Sequence, residues 1–454
     1  MFPVLEKQRR RFQSQATLDV GFRKRALRSL LEALQEWTPQ LCDALQADLG
    51  KCREEALLTE IGMLARSIRH ALRHVGSWSR TRRVLTPPFL FPALSRVRPE
   101  PYGCALIVSP WNYPVLLALD PLVSAIAAGC TSVLKLSEYT PRTNGVLARM
   151  VAERFSEDYV AVVQGGPDVA RGLVREPFDC IFFTGSPAVG REVMHAAAEH
   201  LVPVTLELGG KSPCIIDATA NIKLAARRIA FGKIVNAGQT CVAPDYVLVA
   251  RGKRDAFVAA FAAEVKAMLG DDPLHNPEYA RIISREHMAR LGALMKDTHV
   301  LSGGRGSLDT MRVEPTLIGG VNLLSPIMQQ EIFGPLLPVI EIKDLDEAES
   351  FVRALPKPLA CYIFSSSLKN RRRLLRSLPF GGGCVNDTLL HLSVPGLPFG
   401  GVGPSGIGSY HGKAGFNAFS HRKSVLTNTT LWDIPLRYLP LTELKRKIIR
   451  RISK

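Results

Sequence analysis

The stretch GCALIVSPWNYP, Gly103–Pro114, sets a short apolar run directly against a polar turn bounded by prolines. Cys104 to Val108 shows no alternation of apolar and polar residues, which predicts a strand buried on both faces. The same arrangement recurs in TSVLKLS (131–137), VAVVQG (160–165), CIFFTGS (180–186) and PVTLELGG (203–210). Helical patterns such as VLARMVAERF (146–155) and AVGREVMHAAAEH (188–200) separate several of these runs. Strand–helix alternation predicts a parallel sheet covered by helices, with ligands held beyond the C-terminal ends of the strands.

Past Gly209-Gly210 the theme repeats: YVLVA (246–250), the helix FVAAFAAEVKAML (257–269), LPVIEI (337–342), the helix EAESFVRAL (347–355) and ACYIFS (360–365). Two α/β domains are the simplest organisation. Upstream, Leu27, Leu30, Leu31 and Leu34, and again Leu57, Ile61, Leu64 and Ile68, fall at helical spacing and read as core stripes. Thr86-Pro87-Pro88 is expected to end this helical region, and Arg96-Val97-Arg98, set among prolines, reads as an exposed edge strand.

A chain of 454 residues, 46% hydrophobic and 22% charged, can bury a large core without disulfides or metals. The nine cysteines form no C-x-x-C pair, and no histidines cluster at ligand spacing, so free thiols in a reducing compartment are expected. MFPVLEKQRRRFQSQ lacks a following apolar segment and does not read as a secretory signal; a cytoplasmic location is expected. The apolar stretch Pro114–Cys130 is broken by Asp120, Pro121 and Gly129, which argues against a membrane span. A net charge of +17 is compatible with polyanion or membrane contact. No nucleic-acid-binding signature accompanies it, and no nucleic-acid partner is expected.

Four segments place reactive or polar residues just after apolar runs, Ser109–Pro114, Leu136-Ser137-Glu138, Phe183–Gly190 and Glu207–Lys211, and Gly238–Tyr246 follows them. Singly they are weak. Gly185-x-x-x-x-Gly190 lacks both the G-x-G-x-x-G spacing and a P-loop ending, although a glycine turn into a helix still offers N–H groups to a phosphate. A lone cysteine is usually a small buried hydrophobe.

In combination and in this order the segments resemble the aldehyde dehydrogenase superfamily, from about Gly103 to Val425. The resemblance includes Gln330–Pro335, Gly383–Asp387 and Pro398–Gly406. Cys241–Tyr246, Ser409–Lys413 and Phe419–Arg422 resemble the class 3 branch, which contains fatty and aromatic aldehyde dehydrogenases and is typically dimeric. Leu136 stands where the family usually has proline, Gln330 where it commonly has glutamate, and Ala414-Gly415 where class 3 members often carry larger residues.

The resemblance implies an α/β fold with two Rossmann-like parallel-sheet domains and a small bridging arm. It apportions 1–86 and 103–208 to NAD(P) binding, 209–400 to catalysis, 87–102 with 401–430 to the arm, and 431–454 to a basic tail. Oxidation of an aldehyde, medium- to long-chain aliphatic or aromatic, to its acid is implied. Cys241 is implied as the nucleophile, with Asn112 and the Cys241 N–H as oxyanion donors and Glu207 as the base that activates water. A free thiol of pKa about 8.5 is mostly protonated at neutral pH, so such a site must lower that value or assist deprotonation. Ser109, Trp111, Lys135, Glu138, Gly185, Ser186, Gly190, Glu331 and Phe333 are implied to bind the cofactor. Lys135 and Glu138 fall at the adenine ribose, Ser186 at the pyrophosphate, and Glu331 at the nicotinamide ribose beside Phe333. NAD is the expected cofactor, and Lys135 leaves NADP open. A CoA-acylating dehydrogenase is the alternative enzyme, and a catalytically dead membrane- or polyanion-binding protein the non-enzymatic one.

The tail combines Arg437, Lys445, Arg446, Lys447, Arg450, Arg451 and Lys454 with Leu441, Leu444, Ile448, Ile449 and Ile452 at roughly helical spacing. Such a helix is expected either to lie peripherally on an anionic membrane or to pack on a partner subunit.

Overall fold

The computed structural model describes residues 3–452; Lys454 lies outside them. A six-stranded sheet runs in the order Gly406–Ile407, Val204–Glu207, Cys180–Thr184, Cys104–Val108, Thr131–Lys135, Val160–Val163. All its pairings are parallel except that of Gly406–Ile407. Cys104–Val108 lies mid-sheet and is buried throughout, as its uniformly apolar sequence requires.

The chain leaves this sheet at Glu207 and enters a seven-stranded one at Pro213. Its order is His299–Ser302, Thr316–Gly319, Leu336–Ile342, Tyr246–Ala250, Pro213–Ile216, Ala360–Phe364, Gly382–Val385. Only His299–Ser302 pairs antiparallel. Side chains of both sheets, among them Phe182 and Val247, belong to one contiguous hydrophobic core.

Three features differ from the sequence expectation. The helical region ends at Trp78 rather than at Thr86, and Arg82–Val84 is already a strand. Arg96-Val97-Arg98 is not an edge: Leu94–Pro101 is the middle strand of a three-stranded sheet, between Arg82–Val84 and Ser420–Thr427. Its prolines are tolerated because Arg82–Val84 pairs only with Ser95–Val97, so no ladder needs an N–H from Pro99 or Pro101 on that side. Of residues 401–430, only Ser420–Thr427 joins this arm. Gly406–Ile407 extends the six-stranded sheet, and helix Gly412–Ala418 packs against helix Leu116–Ala128.

Among the described residues no helix is long and apolar enough to cross a membrane. The tail forms a helix, Glu443–Ile452, with no buried residue.

Candidate active site

Cys241 follows a backbone that few sequences tolerate. Asn236, Ala237 and Gly238 take left-handed conformations in succession, with φ of 51°, 50° and 70°. For alanine this costs about 1–2 kcal/mol, so neighbouring contacts must impose it. The buried Gln239 side chain donates to Asn236 O (3.0 Å) and Arg281 O (2.9 Å) and accepts from Ile283 N (3.0 Å). At Gly238 the turn passes so close to Gly334 that a Cβ would sit 2.4 Å from its carbonyl oxygen.

Asn112 lies within the turn between strand Cys104–Val108 and helix Leu116–Ala128 and is buried. Its Nδ2 donates one hydrogen bond to Gln239 O at 3.0 Å. An amide nitrogen carries two N–H groups, so this bond fixes the side chain and leaves the second donor for another acceptor. Glu207 closes strand Val204–Glu207 and is also buried, and neither carboxyl oxygen has a hydrogen-bond partner. Burial alone pushes its pKa well above the ordinary carboxyl range.

Asn112, Glu207 and Cys241 line one cavity of about 220 Å³, together with Trp111, Glu331 and Phe333. Burial and then the nearby Glu331 and Glu207 raise the Cys241 pKa; the N–H groups of Cys241 and Val242 oppose this only in part. Of the two routes to a thiolate, these surroundings therefore do not supply a lowered pKa. The Glu331 carboxyl is pushed up to about 8, by burial first and by Asp245 second, against the Gly210 N–H and Lys211. It lies directly over Gly209, where a Cβ would be 1.9 Å from its Oε2.

Two further spaces open from this cavity. On one side a groove of about 770 Å³ runs past the ends of the strands, with Ser109, Lys135, Glu138 and Gly185 on its wall. Trp111 and Ser186 line both groove and cavity. Ser186 caps helix Pro187–Ala198 by accepting from Val189 N (3.4 Å), and Gly190 lets that helix press on Leu208, whose Cδ2 would lie 2.6 Å from a Cβ. Lys135 is buried and donates to Leu136 O at 2.6 Å, with Glu138 4.0 Å away. On the other side Cys241 also lines an apolar cavity of about 150 Å³ walled by Leu58, Met63, Phe231, Leu389, Leu390 and Phe399.

Each sequence-predicted residue thus borders the groove or the cavity, apart from Gly190, which sets the helix beside them. The sequence reading missed Lys51, Glu60 and Asn236, which lie behind Asn112. Lys51 and Glu60 form a fully buried ion pair at 2.6 Å. Glu60, three residues after Leu57 and four before Leu64, falls on the same apolar stripe and is buried, in a segment, Leu57–Ile61, that widens to a π-helix. The other cysteines carry no such setting: Cys42, Cys104, Cys130, Cys180, Cys214 and Cys361 are buried, and Cys52 and Cys384 half-buried.

Two mostly parallel sheets opening onto a thiol-bearing cavity between a long groove and an apolar pocket define an α/β protein with a ligand site at the strand ends. The chain belongs to the aldehyde dehydrogenase family, whose family model matches residues 4–425. It is 45% identical to the 4,4'-diaponeurosporen-aldehyde dehydrogenase of Staphylococcus aureus, over 98% of this chain and 97% of that protein. Human aldehyde dehydrogenase family 3 member B1 is 42% identical, over 93% and 90%. A structure described as the substrate-bound state of Staphylococcus aureus AldH superposes with a TM-score of 0.97 at 44% identity, covering 99% of each chain. Betaine aldehyde dehydrogenase from the same organism, solved with NAD+, gives 0.85 at 27% identity, covering 95% of this chain and 89% of that one.

Proposed function

We propose that the protein is a class 3-like, NAD-dependent dehydrogenase that oxidises apolar aldehydes to carboxylic acids through a thioester on Cys241. The observation carrying this reading is that Cys241 stands in the wall shared by the apolar pocket and the cavity leading to the groove. An apolar aldehyde entering from the pocket would reach the sulfur from one side, and the cavity on its other side leads through Trp111 and Ser186 to the groove that would hold a dinucleotide.

The residues fit NAD. The groove has the room, and Glu138 offers a carboxylate to ribose hydroxyls. The N-terminus of helix Pro187–Ala198 opens onto it at Ser186 to take a pyrophosphate. Bound NAD supplies the hydride acceptor. The chain's own residues do the rest. Cys241 gives its proton to solvent, and its sulfur adds to the carbonyl carbon, whose π electrons move onto the oxygen as a negative charge. The free Asn112 N–H and the Cys241 N–H receive that oxygen, a preorganised arrangement worth about 10²–10³ in rate per donor. Once oxidation leaves a thioester, Glu207 takes a proton from water, whose oxygen attacks the acyl carbon and expels the thiolate. A carboxyl whose pKa burial has raised is a stronger base once ionised, which suits this step. Glu207 also favours hydrolysis over transfer to coenzyme A, because attack by a thiol needs no water-activating base.

A panel of aliphatic and aromatic aldehydes, assayed by NADH formation with product identification in the presence of coenzyme A, tests the reading. Acyl-CoA as the main product, or turnover confined to small charged aldehydes, overturns it.

The same proposal covers domains and assembly. The six-stranded sheet binds the dinucleotide, the seven-stranded sheet carries the nucleophile, and the three-stranded arm serves a homodimer. Strand Ser420–Thr427 has one edge open, as does Gly382–Val385, so a partner can extend either sheet. Light scattering that gives a monomer mass at micromolar concentration contradicts the dimer. In the tail, Leu444, Ile448 and Ile452 are exposed among Lys445, Arg450 and Arg451, which fits peripheral contact with an anionic membrane. Sedimentation with anionic vesicles at low salt tests this; equal binding after deletion of 444–454 removes the tail from the role.

A further inference from the structure

We infer that Lys51, Glu60 and Asn236 form a positioning device that holds the Asn112 amide in register with the nucleophile loop. The inference rests on Asn112 being the oxyanion donor proposed above.

The geometry is closed on every side. Lys51 Nζ donates to the carbonyl of Asn112 itself at 2.9 Å, while its partner Glu60 holds it through Oε1 at 2.6 Å. Glu60 Oε2 accepts from Val115 N (2.9 Å) and Leu116 N (3.1 Å), three and four residues further on. One buried ion pair therefore grips the turn by its carbonyl at Asn112 and by its N–H groups at the start of helix Leu116–Ala128. Val115, the N-cap residue of that helix, makes no side-chain cap, so a carboxylate from elsewhere in the chain supplies it. Lys51 Nζ also lies 3.9 Å from the ring centre of Tyr113, whose hydroxyl bonds Thr240 Oγ1 at 2.7 Å, next to Cys241.

Asn236 supplies the link across. Its Nδ2 donates to Asn112 O (2.8 Å) and to Gln239 O (3.1 Å), the carbonyl that also receives the Asn112 side chain. Its own N–H is held by Glu55 Oε1 at 2.8 Å, which helps fix its left-handed backbone. The donor loop and the nucleophile loop are thus bolted at two carbonyls, by side chains that touch neither the cavity nor the groove. Stability alone does not explain the ion pair, because well-packed apolar residues commonly replace a buried pair without loss. What apolar residues cannot do is set the angle and distance at which the Asn112 amide meets the sulfur. An error of about 1 Å in such a group costs on the order of a hundredfold in rate.

The test is a double-mutant cycle against Asn112→Ala, using the variants Lys51→Met/Glu60→Leu and Asn236→Gly. Glycine keeps the left-handed backbone at 236 while deleting both amide bonds. Two readouts are taken: the NADH burst with aldehyde, and hydrolysis of an activated aryl ester, which forms the same sulfur-bound oxyanion without the cofactor. Asn112→Ala alone is expected to lower both about 10²–10³-fold. Lys51→Met/Glu60→Leu or Asn236→Gly is expected to lower kcat about ten- to a hundredfold, with KM for aldehyde changed less than about threefold. Added to Asn112→Ala, each should cost less than about twofold more, because the group it positions is already gone. Losses that multiply fully in the combined variants overturn the positioning role. Equal activity of Asn112→Ala and the parent protein overturns the oxyanion reading instead. If Lys51→Met/Glu60→Leu does not fold, Asn236→Gly decides.

Discussion

The two large sheets both end at the same cavity, yet they build their shares of it by different means. The six-stranded sheet presents a regular strand–turn–helix unit: Cys180–Thr184, the turn at Gly185, and helix Pro187–Ala198 with Ser186 as its cap. The seven-stranded side presents Cys241 from a loop with three successive left-handed residues, fixed by Gln239, by Gly334 and by bonds to Asn112 and Glu55. Regular backbone suffices where a groove must offer N–H groups to a long flexible ligand. A strained loop locked by contacts distant in sequence is needed where one sulfur must sit within a bond's reach of its acceptor. Substitutions on the first side should therefore act in graded fashion on cofactor affinity, and those on the second abruptly on rate.

Cys241→Ala gives the largest expected effect. NADH formation should fall about a thousandfold or more while NAD binding, followed by fluorescence, persists, since the substitution leaves the groove residues Lys135, Glu138 and Ser186 untouched. Retained turnover in that variant breaks the contrast. Next comes pH. Burial holds Glu207 protonated well above the usual carboxyl range, so its basic form grows as pH rises. Thioester hydrolysis in pre-formed acyl-enzyme should climb by up to about tenfold per pH unit through neutrality, and that slope should flatten in Glu207→Gln.

On the groove side Glu138→Ala should raise KM for NAD by about tenfold with kcat nearly unchanged, the signature of binding lost equally in ground and transition states. A matching fall in kcat would mean that the groove also shapes the chemistry. The smallest effect concerns stability. Glu331 is held protonated up to about 8 in the fold. The stability linked to its proton is complete below the ordinary carboxyl pKa and is lost as pH rises towards 8. Glu331→Gln should therefore gain about 1–2 kcal/mol over the parent at pH 8 and less at pH 5, measured by urea unfolding.

The same contrast explains what the sequence discloses. Strands such as Cys104–Val108 and Cys180–Thr184 are legible because an unbroken apolar run followed by a glycine or proline turn has few other solutions. The cofactor-side positions and Cys241 come from ordered motifs resembling a known family. Lys51 and Asn236 give no local signal, and Glu60 gives only a carboxylate on an apolar stripe: their contacts with the Asn112 turn lie at separations of 61, 124 and 55 residues. The arm is misread for a related reason. Proline excludes an inner strand only where a second ladder reaches it, and Arg82–Val84 stops short of Pro99.

The central claim is that a thioester forms on Cys241 and that Glu207 resolves it. Intact-protein and peptide mass spectrometry of Glu207→Gln, quenched after one turnover with NAD and an aliphatic aldehyde, tests it most directly. The expected result is a single acyl adduct on the peptide containing Cys241, accumulating with a stoichiometric burst of NADH and clearing only slowly. Steady turnover at the parent rate with Cys241 unmodified contradicts it.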